Sequence, residues 1–238
     1  MNLVRWDTFD EMSRYAASLI AAQLQKKPDS VLGLATGSSP LGVYRRLIEL
    51  YEAGEVDFSR AFTVNLDEYC GLPASHPESY ARFMKKSFFD HINIKPENTY
   101  IPNGNAADPA AECMRYEHLI GWLGGIDLQL LGIGFNGHIG FNEPSRHFID
   151  ETHRVKLTAS TLEANGRFFP DGNPPAYAIT VGMKTIMRAK TVVLIAGEEK
   201  YSILKRAFTG PVTPEVPASI LLNHPHATVI YTGGEEIR

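Results

Sequence analysis

The stretch IDLQLLGI, residues 126–133, is almost continuously apolar, and a glycine-rich segment, 134–144, follows it directly. Gly124 and Gly125 stand immediately before it. A short apolar run bounded by glycines is typical of a strand that is buried on both faces. Strands of that kind belong to mostly parallel sheets that helices cover on either side.

The rest of the chain alternates between apolar runs and helical patterns, which is the pattern of an α/β fold. The chain should form one domain, 1–238, around a mostly parallel sheet with helices on both faces. Further strands are predicted at 31–35, 61–66, near Val155, and at 177–181, 191–196 and 228–231. Helices are predicted after the capping box at Thr8, from Pro40 to Gly54, and at 79–89, 109–123, 161–168 and 198–208. Leu41, Tyr44, Leu47, Ile48 and Tyr51 should line the apolar face of the second helix.

Composition excludes several classes of protein. The 238 residues carry a net charge of −4 and 2 cysteines, too few for a disulfide framework or a four-cysteine zinc site. No apolar run approaches the ~18–20 residues of a membrane helix, and the polar N-terminus does not resemble a signal peptide. A mildly acidic chain without basic runs is a poor nucleic-acid binder. We therefore expect a cytoplasmic protein with a small-molecule ligand and no nucleic-acid or membrane partner.

Three loops should meet at the carboxyl edge of the sheet, where α/β proteins bind ligands: 36–40, 67–71 and 134–144. The first contains Thr36, Gly37, Ser38 and Ser39 between a strand and a helix. Its hydroxyls, its backbone N–H groups and the positive end of the helix dipole suit a phosphate. An ordinary N-capped turn has the same composition, and the loop lacks the lysine of a P-loop.

The second loop holds Asp67 and Glu68 just beyond an apolar strand. A carboxylate there can have a raised pKa and act as a general base. A solvated turn or a helix N-cap would also explain the pair.

The third loop contains His138, with Asn136 and Glu143 beside it and four glycines between 132 and 140. Histidine titrates near pH 7, and Glu143 or Asn136 could orient it or share its proton work. One alternative is a histidine satisfied by a backbone partner, and another is a metal ligand. The remaining histidines and cysteines form no ligand pattern, so we expect no metal.

Two basic residues could complete an anion site. Arg167 lies in the segment NGRFF, and Lys200 opens a predicted helix. Each would otherwise be an ordinary surface charge.

Taken together, these motifs resemble those of the glucosamine-6-phosphate deaminase family, also called glucosamine-6-phosphate isomerases, over almost the whole chain. The resemblance implies a Rossmann-like three-layer sandwich that converts glucosamine 6-phosphate to fructose 6-phosphate and ammonia, without metal or nucleotide cofactor. The motifs that carry it are LATGSSP (34–40), NLDEY (65–69), HPESY (76–80), GFNGHIGFNEP (134–144) and NGRFF (165–169).

The resemblance also implies roles for the residues singled out above. His138, paired with Glu143, would open the sugar ring, and Asp67 would move a proton from C2 to C1. Asn136 completes the catalytic set. The substrate and its phosphate would be held by Thr36, Gly37, Ser38, Ser39, Gly137, Arg167 and Lys200.

Two features depart from the family pattern. Many members carry aspartate where this chain has Asn136, and an asparagine cannot stabilise an imidazolium as an anion would. The chain also ends at Arg238, whereas longer members continue and form allosteric hexamers, so a monomer is expected.

Two rival functions remain. A 6-phosphogluconolactonase would share the fold and a similar Gly-His loop, but the NLDEY and FNEP segments match the deaminases better. A non-catalytic sugar-phosphate sensor would need a DNA-binding module, for which residues 1–29 are too short. Residues 145–170 are a candidate lid.

Overall fold

The apolar run at 126–133 contains the central strand of a seven-stranded parallel sheet. The computed structural model describes residues 1–169 and 172–237. Strands β1 to β10 cover Asn2–Trp6, Val31–Leu34, Phe62–Asn65, Asp67–Tyr69, Thr99–Tyr100, Leu128–Leu131, His153–Lys156, Tyr177–Thr180, Thr191–Ala196 and Ala227–Thr232. Helices α1 to α7 cover Phe9–Lys26, Leu41–Glu52, Tyr80–Ser87, Pro109–Trp122, Ala159–Gly166, Met183–Met187 and Tyr201–Thr209.

The main sheet has seven parallel strands in the order β1-β10-β9-β6-β2-β3-β5. Successive residues of a strand enter opposite cores: Leu194 packs in the cluster of α4, α6 and α7, and Ile195 in the cluster of α1, α2 and α3. Helices therefore cover both faces of the sheet, and the predicted α/β sandwich is confirmed.

A second sheet was not predicted. Strands β4, β8 and β7 form it by antiparallel pairing, so the segment from Asp67 is a strand and not the start of a loop. The chain leaves the main sheet at Leu66, whose N–H donates to Leu34 and whose carbonyl accepts from Val181. Three residues that include two carboxylates carry no strand signal, because the partner strand comes more than a hundred residues later.

The helix boundaries follow the capping signals. Thr8 and Glu11 form the capping box: the Glu11 N–H donates to the Thr8 hydroxyl at 3.2 Å, and the Thr8 N–H donates to the Glu11 carboxylate at 3.0 Å. On α2 one prediction is wrong, because Leu41 is 38% exposed and Val43 is buried in its place. The reason is that Leu41 is the first helical residue and lies at the end of the helix face that meets the core.

The edge of the sheet opposite the predicted loops is tied together by Asp127. This buried carboxylate accepts hydrogen bonds from the Val31 N–H at 2.8 Å, from Lys190 Nζ at 2.7 Å and from Lys27 Nζ at 3.0 Å. Burial would raise the pKa of Asp127, but these donors outweigh it and lower the pKa. The contacts join the starts of β2, β6 and β9.

No helix in the described parts of the chain is long and apolar enough to cross a membrane. The candidate lid at 145–170 contains β7 and α5. Its last residue, 170, lies outside the described residues.

Candidate active site

A cavity of about 320 Å³ opens at the carboxyl edge of the main sheet. It lies where the β2–α2 loop, the β3–β4 junction, the loop after β6, helix α5 and the start of α7 converge, as the topology predicts. Most of the predicted site residues line it: Thr36, Gly37, Ser38, Ser39, Asp67, Asn136, His138, Arg167 and Lys200. Glu143 and Gly137 are not part of the wall: Glu143 contacts His138, and Gly137 supports the loop.

Asp67 is a buried acid at the cavity wall. Its position at the start of β4 leaves it only 6% exposed. Burial, together with the negative charge of Glu68, raises its pKa to about 8. The solvated-turn interpretation of this pair is therefore wrong, because Glu68 is also buried, at 3% exposure. A carboxylate with such a raised pKa is a strong base once it has lost its proton.

His138 and Glu143 form a pair at the same cavity. Nδ1 of His138 lies 3.4 Å from Oε2 of Glu143. Burial opposes ionisation of Glu143, but hydrogen bonds from His138, Thr161 and Asn136 outweigh it and lower the pKa of Glu143 to about 2. Glu143 is therefore an anion at neutral pH, and its contact orients the imidazole of His138.

The glycines of this loop leave room for the imidazole. A side chain at Gly134 would collide with the His138 ring. Gly137 has φ +90°, a conformation that side chains disfavour, and its carbonyl accepts the Ala218 N–H at 2.9 Å. Gly137 therefore shapes the loop from outside the cavity wall.

Asn136 bridges the two members of the pair without touching the ring of His138. Its Nδ2 donates to Oε2 of Glu143 at 2.7 Å, and its Oδ1 accepts the backbone N–H of His138 at 3.1 Å. The amide therefore fixes the loop and holds the glutamate. A bond from Asn136 to the imidazole, which the sequence allowed, is not among the hydrogen bonds of the described residues.

The other side of the cavity is suited to an anion. No side chain of the described residues caps the N-terminus of α2, and Ser38 and Ser39, which precede it, line the cavity. The positive end of the helix dipole and these hydroxyls suit an anion. Arg167 and Lys200 line the same cavity, with the Lys200 ammonium 2.8 Å from the centroid of the Phe135 ring. Burial lowers the pKa of Lys200 to about 8; Glu199 opposes this and Arg167 adds to it.

Several residues of the site were not predicted. Tyr80 and Phe141 line the cavity, and their rings stack with centroids 5.9 Å apart. Thr158 and Thr161 contact Glu143 and His138 from the start of α5. Tyr80 ends the HPESY motif and could have been found from it; the threonines carried no signal, because their role depends on how α5 packs. Among residues 1–169 and 172–237, no three His, Cys, Asp or Glu side chains are grouped as metal ligands.

The chain is similar over nearly its whole length to proteins of one family. The family model described as glucosamine-6-phosphate isomerases/6-phosphogluconolactonase matches residues 6–231. The glucosamine-6-phosphate deaminase of Lachnoclostridium phytofermentans is 56% identical over 232 residues, which cover 97% of this chain and 98% of that protein. Glucosamine-6-phosphate deaminase 2 of Bacillus subtilis is 52% identical, over 97% of this chain and 94% of its own.

Solved structures of two kinds of protein share the fold of this chain, at very different sequence identities. A monomeric glucosamine-6-phosphate deaminase superposes with a TM-score of 0.95 at 44% identity and covers 98% of this chain and 97% of its own. The 6-phosphogluconolactonase of Thermotoga maritima superposes with a TM-score of 0.78 at 19% identity, over 98% of this chain and 100% of its own. The second likeness shows a common fold alone.

Proposed function

The chain belongs to the family of glucosamine-6-phosphate isomerases and 6-phosphogluconolactonases, and on that premise we propose that it is a glucosamine-6-phosphate deaminase. The reaction takes glucosamine 6-phosphate and water to fructose 6-phosphate and ammonia. Relatives with that name at 51–56% identity support the assignment. The solved 6-phosphogluconolactonases are distant by comparison, at 17–20% identity.

We propose that His138 and Glu143 open the sugar ring. His138 takes the proton of the anomeric hydroxyl and delivers a proton to the ring oxygen, and the anion Glu143 stabilises the imidazolium formed between the two transfers. The cavity position of His138 and the 3.4 Å contact with Glu143 support this role. Asn136 supports the pair by holding the glutamate.

Asp67 then carries the isomerisation. Its carboxylate removes the C2 proton of the open-chain aldehyde, which leaves an enolamine, and returns a proton to C1. The resulting imine at C2 adds water and releases ammonia, so that fructose 6-phosphate remains. The observation that carries the proposal is a buried acid with a raised pKa of about 8 in one cavity with a histidine that contacts a glutamate, since abstraction of a proton from carbon needs a strong base.

The phosphate is the anchor for a substrate whose reacting end changes shape. We propose that Ser38, Ser39, the start of α2, Arg167 and Lys200 bind it. Thr36 and Gly37 complete the binding loop, and Gly137 holds the facing loop in place. Binding energy from a part of the substrate that does not react can fix the geometry of the part that does.

Ammonia release tests the function directly. Purified protein should release ammonia and form fructose 6-phosphate from glucosamine 6-phosphate, and it should not accelerate the disappearance of 6-phosphogluconolactone. The reverse pattern would establish the lactonase, and binding without turnover of either compound would establish a sensor.

We also propose that residues 1–238 act as one catalytic domain, as a monomer in the cytoplasm. The monomeric deaminase that superposes at a TM-score of 0.95 supports the oligomeric state, and a charged sugar phosphate that does not cross membranes supports the location. Sedimentation at micromolar concentration and hyperbolic rate curves test the monomer. A hexamer with sigmoidal curves, relieved by N-acetylglucosamine 6-phosphate, would contradict it.

Asn136→Ala should lower kcat less than His138→Ala or Asp67→Ala does. We expect a loss of about tenfold, because the variant removes the hydrogen bonds of Asn136 to Glu143 and to the His138 N–H but leaves the contact between His138 and Glu143 in place. Steady-state assays of the three variants give the ranking, and equal losses would overturn it.

Lys200→Met should raise KM for glucosamine 6-phosphate by about tenfold with a smaller effect on kcat, because it removes one charge-assisted contact to the phosphate. Wild-type KM should also increase above pH 8, where the ammonium loses its proton. Lys205→Met is the matched control, since Lys205 is exposed on α7, the helix that begins directly after Lys200. A KM for Lys200→Met equal to that of this control would remove Lys200 from the phosphate site.

A further inference from the structure

Glu68 is a buried carboxylate that none of the proposed chemical steps uses. It is 3% exposed, and its oxygens accept three backbone N–H groups. Oε1 accepts from Tyr69 at 2.8 Å and from Tyr80 at 2.9 Å, and Oε2 accepts from Ala81 at 2.9 Å. Burial raises the pKa of Glu68, and these three hydrogen bonds oppose that increase.

Two of these donors are the first residues of α3, so Glu68 joins that helix to β4. A negative charge at a helix N-terminus is favourable, because it satisfies unpaired N–H groups and complements the helix dipole. Ser79 supplies the side-chain cap to Arg82. Besides complementing the N-terminus of α3, Glu68 therefore holds the first turn of this helix against the strand that carries Asp67.

The first residue of α3 is also part of the cavity wall. Tyr80 lines the cavity, its ring lies 4.8 Å from that of Tyr69, and it stacks on Phe141. The Glu68 contact to the Tyr80 N–H thus sets the position of an aromatic wall next to Asp67. Without it, the first turn of α3 would have no ionic link to β4 among the described residues.

Glu68 also acts on Asp67 through its charge. Adjacent residues of a strand project to opposite sides, so Asp67 meets the cavity while Glu68 points to α3. The negative charge of Glu68 adds to burial in raising the pKa of Asp67. Among the described residues, Tyr44, Tyr69, Tyr80 and Tyr116 also lie near Asp67, and the other titratable side chains that line the same cavity are His138, Arg167, Glu199 and Lys200.

We propose that Glu68 is a positioning residue: its buried carboxylate holds Tyr80 in the cavity wall and keeps a negative charge beside Asp67 that strengthens this residue as the base for the C2 proton. The proposal rests on the deaminase function proposed above. A purely structural cap would stabilise α3 without changing how activity depends on pH, and this difference makes the two roles separable.

Glu68→Gln removes the charge and keeps the size of the side chain. In the wild type, kcat/KM should rise with pH through about 8 as Asp67 ionises. In the variant this acidic limb should move to lower pH by about one unit, because a nearby like charge is gone. The plateau of kcat should fall about tenfold, because the base is weaker.

Glu112→Gln is the matched control. Glu112 is also a buried glutamate, accepts the Asn103 N–H at 2.7 Å and binds Arg115, but it does not line the cavity. Its variant should lose stability and keep the wild-type pH profile. If Glu68→Gln also keeps that profile, the proposal is overturned and Glu68 is a structural cap.

Glu68→Asp separates geometry from charge and serves if the glutamine variant does not fold. It should keep the acidic limb near its wild-type position, because the charge remains, but it should lower kcat about tenfold, because the shorter side chain cannot reach α3. A wild-type kcat in this variant would contradict the positioning role. Wild-type protein without ammonia release would instead refute the deaminase function, whatever the variants do.

Discussion

We expect Asp67→Asn to abolish ammonia release and to lower kcat by about 10³-fold or more, because asparagine cannot take the C2 proton. Substrate binding should persist, since the phosphate contacts are elsewhere in the cavity. Two measurements check this: steady-state ammonia production, and exchange of the C2 hydrogen with deuterated water. Exchange at the wild-type rate in the variant would show that another group is the base.

The same substitution should make the protein more stable at high pH. The pKa of an ordinary aspartate is 3.8, and the pKa of Asp67 in the folded protein is about 8. Between these two values Asp67 keeps its proton in the folded state and loses it in the unfolded state. The contribution of Asp67 to the free energy of unfolding is therefore fully present below pH 3.8 and is lost as the pH rises to about 8. Asparagine does not titrate, and its advantage over the wild type should grow by roughly 2–4 kcal/mol between pH 5 and pH 8.5.

Asp127→Asn is the control with the opposite sign. The pKa of Asp127 is lowered in the folded state, so its contribution to stability is present above its ordinary pKa and disappears as pH falls. Removing the charge should reduce the free energy of unfolding at pH 7 by about 1–3 kcal/mol and leave kcat unchanged. Thermal unfolding of both variants at pH 5 and pH 8.5 makes the comparison. A parallel shift of Asp67→Asn at both pH values would mean that Asp67 is ionised when folded.

His138→Gln is expected to lower kcat by about 10²–10³-fold, because the ring-opening step loses its proton carrier. Glutamine keeps a polar group of similar reach but cannot accept and release a proton near pH 7. The spontaneous opening of the sugar ring in water limits the loss, so the effect should be smaller than for Asp67→Asn. Glu143→Gln should show a similar but weaker defect, since the imidazole remains.

Exchange of the C2 hydrogen with deuterated water shows whether His138 acts in ring opening or after proton abstraction. His138→Gln should slow exchange and ammonia release by the same factor, because both follow ring opening. His118→Gln is the control, since His118 is exposed on α4. If exchange in His138→Gln stays at the wild-type rate while ammonia release falls, His138 acts after proton abstraction and the assignment of ring opening is wrong.

The main sheet and its helices were predictable because their signals are local. Strand β6 is a continuous apolar run, α1 begins at a capping box, and α4 ends before paired glycines. The small sheet was not predictable, because β4 has three residues and pairs with β8 far along the chain. Strands β1 and β5 were also missed; β5 has only two residues, and both strands lie at edges of the sheet.

Some residues of the candidate active site were likewise predictable from the sequence, and others were not. Asp67, His138 and Glu143 stood out because each lies in a motif next to a strand end. The link from Glu68 to α3 could not be read from the sequence, since its donors lie 12 and 13 residues further along the chain. The threonines at the start of α5 meet Glu143 only because the helix packs over the loop after β6. Sequence patterns therefore locate groups that act on a substrate more readily than groups that hold them.

The hydrogen bonds that Asp127 accepts from Val31, Lys27 and Lys190 have a practical consequence for engineering this protein. They lie at the sheet edge away from the cavity, where added ion pairs or better packing would improve heat tolerance without affecting turnover. At the cavity, stability and turnover conflict. Asp67 acts as a base only when it is ionised, and burial makes the ionised form unfavourable for the folded protein. A search for thermostable variants that screens on folding alone should therefore accumulate substitutions of Asp67, whereas one that retains a screen for ammonia should find its gains around the starts of β2, β6 and β9.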